Sequence, residues 1–273
     1  MGNAIRPAAV SGMFYPAQPQ ELTDMIDTFV GAAQVDVLPE PFAVIAPHAG
    51  YIYSGPIAGV AYAAASKRAD SVKRVVLLGP SHHVALRGLA FPTADYFETP
   101  LGRVPVDLTE LRPLLEWDFV EMRDDAHLRE HSLEVQLPFM QKIFSEFTLY
   151  PFAVGQPDAE EVRLVLEKLC INAGRLRDDT IIVVSSDLSH YHPYGEACEI
   201  DRITSTFIER LELSELGPER ACGAYAIRGL IDFSHKHDLK AKTLMLANSG
   251  DTAGGKDQVV GYGAYAFYKL SDS

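Results

Sequence analysis

Histidine and aspartate side chains follow several apolar segments of this sequence, at points where each segment reads as the end of a buried strand. There are three such segments: 42–47 before His48, 75–80 before Ser81, His82 and His83, and 181–184 before Asp187 and His190. In open α/β sheets, ligands bind at the carboxyl ends of the strands. Histidine is the commonest metal ligand and titrates near neutral pH. These strand ends therefore predict one shared chemical site.

The spacing within each strand end limits which side chains can meet. His82 and His83 are adjacent, so in an extended segment they point to opposite sides, and at most one of them is expected to join His48. Asp187 and His190 are three residues apart and would share a face if the segment turns helically. The aspartate could then orient the imidazole or relay a proton. The alternative is a helix-capping aspartate beside a surface histidine.

Two further groups have both a chemical and a structural interpretation. Cys222 lies near the start of a predicted helix, where the thiol pKa is lowered and the metal-binding thiolate is favoured. The structural interpretation is that a free cysteine behaves as a small buried apolar residue. For Cys170 and Cys198, inside amphipathic helices, we expect the buried role. His131 and Glu134 are one helical turn apart, which fits either a metal pair or a solvated helix face.

The segments around these residues alternate between strand-like and helix-like patterns. Near-continuous apolar strands separated by helices predict an α/β fold, a single-domain α/β/α sandwich over residues 1–273 with a largely parallel central sheet. The predicted strands are 42–46, 74–78, 147–154, 180–184, 242–247 and 259–268. The predicted helices are 54–65, 130–144, 159–172, 196–211 and 218–235. Residues 79–105 show no clear period.

Composition restricts the classes of partner and compartment. The chain has 273 residues and a formal net charge of −13, which repels phosphate backbones and anionic lipid, so we expect neither nucleic acid nor a membrane as partner. No stretch approaches the roughly 20 apolar residues of a spanning helix. Three widely spaced cysteines, no CxxC and no signal-peptide pattern indicate a cytoplasmic protein. The motifs of serine hydrolases, P-loop proteins and HExxH metalloproteases are absent from the sequence.

Ordered motifs along essentially the whole chain carry a family resemblance. They are SGMFYP at 11–16, APHAGY at 46–51, LGPSHH at 78–83, HSLE at 131–134, SSDLSHY at 185–191 and GYGAY at 261–265. With these motifs the sequence resembles the MEMO family, called AmmeMemoRadiSam system protein B in its microbial members. The resemblance implies a fold like that of class III extradiol dioxygenases, with a metal site at the strand ends.

The resemblance also implies roles for individual residues. His48, His82 and Cys222 match the metal ligands of the family. Asp187 and His190 match residues beside the metal, and His190 stands where dioxygenases place an acid/base histidine.

Three further residues are assigned to substrate binding. Phe14 and Tyr191 match positions where some family members carry tryptophan, and Phe14 falls where a family aromatic lines the pocket. His131 belongs to the matched HSLE motif and completes this group.

The donor set separates the chain from the dioxygenases whose fold it resembles. Extradiol enzymes hold iron with two histidines and a carboxylate, whereas the third candidate here is the thiol of Cys222. A thiolate suits copper(I), zinc or iron, so dioxygenase activity does not transfer by fold alone. We expect a redox or dioxygenase-like enzyme acting on a small substrate, with iron as the first choice of metal and copper or zinc as alternatives.

Two other functions stay open at this point. One is a non-catalytic module that binds a ligand or peptide on a dioxygenase-like scaffold, and the other is a zinc-dependent hydrolase. The resemblance further implies a functional link to a radical-SAM protein and an AMMECR-like protein.

Overall fold

The computed structural model describes residues 4–35 and 39–270. The strands are Ile5–Arg6 (β1), Pro41–Ala46 (β2), Arg74–Pro80 (β3), Leu89–Phe91 (β4), Tyr96–Thr99 (β5), Gly102–Pro105 (β6), Val120–Met122 (β7), Thr148–Val154 (β8), Ile171–Asn172 (β9), Arg175–Leu176 (β10), Thr180–Ser185 (β11), His190–His192 (β12), Leu239–Asn248 (β13) and Val259–Lys269 (β14). The helices are Pro19–Ala32 (α1), Tyr51–Ala65 (α2), Leu108–Leu111 (α3), Asp125–Leu128 (α4), His131–Glu134 (α5), Leu137–Ile143 (α6), Ala159–Cys170 (α7), Tyr194–Glu209 (α8) and Ala224–Lys236 (α9).

The central sheet aligns the carboxyl ends of its parallel strands. Its order is β12-β14-β2-β11-β3-β8-β4-β7, with β13 paired to β14. Strands β2, β11, β3 and β8 run parallel, and β14 is antiparallel to β2. Val184 of β11 is paired with Ile45 of β2 on one side and with Leu78 of β3 on the other. The loops after these three strands therefore leave the same edge of the sheet.

Helices cover the sheet in two groups. Helix α2 packs on β2 and β14, and α1 and α6 pack against α2. Helix α9 packs on β3 and β11 and against α7. The strands in between are almost entirely buried, as their continuous apolar sequences require. The predicted α/β sandwich with a largely parallel central sheet is confirmed. In the described ranges, no helix is both long enough and apolar enough to span a membrane.

Some predicted elements differ from the structure. The predicted helix 130–144 is divided into α5 and α6, and Pro138 lies in the first turn of α6. Proline has no backbone N–H and a fixed φ, so it suits the start of a helix and disrupts its interior. The segment 79–105, which showed no period, holds the short strands β4, β5 and β6. Cys198 is exposed on α8, which contradicts the expected buried role, whereas Cys170 is buried.

Candidate metal centre

His48 lies directly beyond the end of β2 and is almost fully buried, with 2% of its surface exposed. Its Nδ1 lies 2.9 Å from Ser185 Oγ, and its backbone N–H donates to Asp187 Oδ1 over 2.7 Å. Burial is the larger cause and the neighbouring imidazole of His82 the second, and together they lower the pKa of His48 to about 3. The ring is therefore neutral near neutral pH, which is the form that binds a metal.

His82 follows β3 and is held by a buried carboxylate. Its Nδ1 is 2.9 Å from Glu130 Oε1, and its backbone N–H donates to Glu130 Oε2 over 2.6 Å. Burial alone would raise the pKa of Glu130, but its hydrogen bonds with His82 and with the backbone N–H of Ser132 bring that pKa well below its usual range. An ionised carboxylate can only accept, so Nδ1 of His82 carries a proton, and in the neutral ring Nε2 is the nitrogen with the lone pair.

His131, at the start of α5, joins the first two imidazoles. Its ring stacks on that of His82 with centroids 4.8 Å apart, and its centroid is 5.5 Å from that of His48. One ligand nitrogen from each of these three residues lies within 4.8 Å of the others, so the group could hold a metal ion. Burial lowers the pKa of His131 to about 4. His83 is exposed and does not belong to this group.

Cys222, in the segment before α9, contacts His48 but lies outside the group of three mutually close imidazoles. Its Sγ lies 3.3 Å from His48 Nε2 and 3.3 Å from the backbone nitrogen of Asp187, which donates to it. Burial raises the pKa of the thiol, and the charge of Asp187 raises it further. The prediction that the nearby helix start lowers the thiol pKa is therefore wrong for the metal-free protein, because burial raises this pKa by more than the helix start lowers it. A coordinated metal reverses this balance by deprotonating the thiol.

Asp187 and His190 lie beside this group without sharing a helical face. Residues 186–189 are irregular and His190 begins β12, so neither the predicted helical turn nor the helix cap is present. Asp187 is buried, which raises its pKa, and its Oδ2 is 4.0 Å from His48 Nε2. His190 Nδ1 is 2.8 Å from the carbonyl oxygen of Leu188, which can only accept, so Nδ1 carries a proton, and in the neutral ring Nε2 is the nitrogen with the lone pair.

The aromatic residues assigned to substrate binding lie near the histidines to different degrees. The Phe14 ring is 4.7 Å from that of His131, and the Phe14 carbonyl accepts the backbone N–H of Tyr51 over 2.7 Å. The Tyr191 ring is 5.8 Å from that of His190, yet 69% of Tyr191 is exposed. Phe14 therefore contacts the histidine group itself, and Tyr191 lies at the protein surface beside it.

Glu134 does not pair with His131 and has a structural role instead. It is fully buried, forms an ion pair with Arg6 and accepts the hydroxyl of Tyr15 over 2.6 Å. The break between α5 and α6 allows this, because Glu134 ends a short helix that turns into the core. The ion pair fixes the N-terminal segment that carries Phe14.

The polar residues that hold the two strand-end imidazoles were not predicted from the sequence. Glu130 contacts His82, and Ser185 contacts His48, with Gln136 behind it. All three are buried. The available signals differ: Glu130 directly precedes His131, Ser185 ends an apolar strand two residues before Asp187, and Gln136 stands between apolar residues.

Comparison with known proteins gives one consistent family. A family model described as Memo-like protein matches residues 6–266. A MEMO1 family protein of Aquifex aeolicus is 35% identical over 272 residues, covering 94% of this chain and 97% of that protein. MEMO1 family proteins of Methanopyrus kandleri and Desulfurococcus amylolyticus are 34% and 35% identical, and each alignment covers 96% of this chain. These alignments span 98% and 99% of the two relatives. The chain belongs to the Memo family.

Proposed function

We propose that the protein is a metal-dependent redox enzyme that holds iron or copper at His48, His82 and Cys222. The observation that carries the proposal is the meeting of the His48 and His82 rings, with centroids 5.3 Å apart, and the contact of the Cys222 thiol with His48. In both histidines Nδ1 is bonded within the protein, and Cys222 Sγ lies 3.3 Å from His48 Nε2. Imidazole and thiolate donors suit iron, copper and zinc. A bound redox-active ion with open positions would supply oxygen or electron-transfer chemistry there.

Within this proposal, His190 moves protons. Its Nδ1 donates to Leu188 O, so the opposite nitrogen, Nε2, can take a proton from a substrate and return it. General acid–base groups contribute about 10²–10⁴-fold to rate. Asp187 supports the site by accepting the backbone N–H of His48, which fixes the strand end that carries this imidazole.

The substrate in this proposal is a small molecule bound against Phe14, His131 and Tyr191. Phe14 and His131 form a contiguous aromatic wall, with ring centroids 4.7 Å apart. Aromatic faces of this kind pack against planar or apolar groups through offset or edge contacts. Small aromatic compounds such as catechols are therefore the first substrates to test.

Metal content tests the proposed ligands. Replacing His48, His82 or Cys222 with alanine should lower the bound metal per chain while the protein stays folded. Unchanged metal in both His82→Ala and Cys222→Ala would overturn the assignment. His190→Ala should keep its metal and lose turnover, and loss of metal in that variant would make His190 a ligand instead.

Oxygen consumption tests the proposed activity. The protein would be reconstituted anaerobically with Fe²⁺ and, separately, with Cu⁺, and oxygen uptake followed with catechols and other small aromatics. Uptake that disappears in Cys222→Ala supports a redox enzyme. No metal-dependent uptake, together with tightly bound zinc in the isolated protein, would refute it.

A zinc-dependent hydrolase is the second candidate, favoured by the position of His131. Three imidazoles within mutual reach are a donor set found in catalytic zinc sites, where the fourth position holds water. Substitution with Co²⁺ separates the two donor sets. A thiolate-to-cobalt charge-transfer band that is lost in Cys222→Ala supports the His48, His82 and Cys222 set. Absence of that band, with loss of cobalt binding in His131→Ala, supports the three-histidine set.

The functional link to a radical-SAM protein and an AMMECR-like protein stays a prediction of the family likeness. Size-exclusion chromatography of the three purified proteins, separately and mixed, would test for direct association.

A further inference from the structure

The hydroxyl of Ser185, at the end of β11, is fully buried behind His48. Its oxygen has three polar contacts: His48 Nδ1 at 2.9 Å, the carbonyl oxygen of Ser132 at 2.6 Å and Gln136 Nε2 at 2.8 Å. A hydroxyl has one proton to donate and two lone pairs that accept. These three contacts therefore use its full capacity, and the direction of each hydrogen bond can be derived.

The amide orientation of Gln136 is set by its other neighbours. Its Oε1 accepts the hydroxyl of Tyr62 over 2.9 Å. Its Nε2 faces the carbonyl oxygens of Pro47 at 3.0 Å and Ala46 at 3.4 Å. Reversing the amide would put its oxygen against these carbonyl oxygens and its NH₂ group against the Tyr62 hydroxyl. Gln136 Nε2 is therefore the nitrogen that donates to Ser185.

The remaining hydrogen bonds then have only one arrangement. The carbonyl of Ser132 can only accept, so it takes the single proton of Ser185. The amide of Gln136 donates to one lone pair of the hydroxyl. The second lone pair must accept from His48, which places the proton of the neutral imidazole on Nδ1 and leaves Nε2 unprotonated.

We propose that Ser185, oriented by Gln136, is a positioning residue that fixes His48 in its Nδ1–H form and directs the unprotonated Nε2 into the metal site. The function that we give to this arrangement rests on the proposed metal centre, whereas the assignment of the His48 tautomer does not. Partners that bond the second nitrogen of a ligating histidine fix its tautomer and ring orientation. For His82 the partner is the carboxylate of Glu130, and for His48 it is a neutral hydroxyl anchored in the core.

The tautomer can be measured by NMR on metal-free protein with ¹⁵N-labelled histidine, since the two ring nitrogens have different shifts when protonated. The His48 signal is assigned by its loss in His48→Gln. We expect Nδ1–H in the wild type. Ser185→Ala should shift His48 towards the Nε2–H form and weaken Zn²⁺ binding by about 10–100-fold. Ser185→Thr keeps the hydroxyl and should retain the Nδ1–H form.

A matched control is Ser234→Ala, which removes another fully buried hydroxyl, bonded to Leu230 O in α9, and should change neither readout. A wild-type His48 in the Nε2–H form overturns the inference, and this measurement needs no variant to fold. Ser185→Ala with an unchanged tautomer and unchanged zinc affinity also overturns it. A wild type in the Nδ1–H form that binds no metal supports the tautomer assignment and refutes the proposed function.

Discussion

Replacing Glu130 with glutamine tests how His82 is held, because the two side chains have the same shape and differ in what they can accept. The Glu130 carboxylate is 1% exposed. It accepts the ring Nδ1–H of His82 over 2.9 Å, the backbone N–H of His82 over 2.6 Å and the backbone N–H of Ser132 over 2.9 Å. An amide has one accepting oxygen and two N–H donors, so in Glu130→Gln at least one of these donors must face another donor.

Each arrangement of the amide has a predictable cost. If its NH₂ group faces His82 Nδ1, the imidazole must carry its proton on Nε2, which removes the lone pair that would bind a metal, and the backbone N–H of Ser132 loses the acceptor that it shares with that ring. If it faces the backbone N–H of His82, a buried donor loses its partner at a cost of about 1–3 kcal/mol. We therefore expect Glu130→Gln to lower the free energy of unfolding by that amount or to weaken Zn²⁺ binding by about 10–100-fold.

Competition with a chromogenic chelator measures the zinc affinity, and urea unfolding of the metal-free protein measures stability. Glu160→Gln is the matched control, since it removes the same charge from an exposed side chain that pairs with Arg163 on α7. Wild-type zinc affinity together with wild-type stability in Glu130→Gln would refute the reasoning.

Three further predictions concern groups around the site. Glu134→Ala should lower the free energy of unfolding by about 3–5 kcal/mol in urea titrations, because it leaves the charge of Arg6 buried and unpaired. Burial lowers the pKa of His127 from 6.5 to about 4, so the unfolded chain binds a proton that the folded protein excludes. The contribution of His127 to stability should therefore be complete above pH about 6.5 and fall by on the order of 3 kcal/mol as the pH drops to 4. His48 and His131 add losses of the same sign, so urea titrations of His127→Gln should show a less steep fall than the wild type. His83→Ala should keep its metal by elemental analysis, because His83 does not belong to the group formed by His48, His82 and His131.

Much of the fold follows from the sequence because the central strands are fully buried. Between Thr180 and Ser185, strand β11 contains only apolar residues, so its strand conformation and its parallel pairing could be predicted from hydrophobicity alone. The region after β3 could not, because β4 and β7 have three residues each and too few positions to show a period. The division of one predicted helix into α5 and α6 depended on Pro138, whose effect the apolar stripe concealed.

Some residues of the candidate site could likewise be predicted from the local sequence, whereas others depend on contacts with residues far away in the sequence. His48 and Asp187 were predictable because each lies just past a strand, and aligned parallel strands bring their ends to one edge. The same argument left the choice between His82 and His83 open, and the family resemblance selected His82. Glu130 and Ser185 were not, because their partners lie 48 and 137 residues away in the sequence. Packing between the layers determines which buried polar side chain contacts which imidazole. No local sequence pattern indicates these contacts.

The two strand-end imidazoles are held in the same way but by different chemistry. Each bonds through Nδ1, His82 to an ionised carboxylate and His48 to a neutral hydroxyl. A carboxylate partner raises the basicity of a ligating imidazole, so His82 should be the stronger donor of the pair. His48, in contrast, lies deeper and has Cys222 beside its free nitrogen. An ion bound here would contact one electron-rich imidazole near the surface and one rigid imidazole next to sulfur in the interior. Glu130 and Ser185 establish this difference between the two imidazoles before any metal binds.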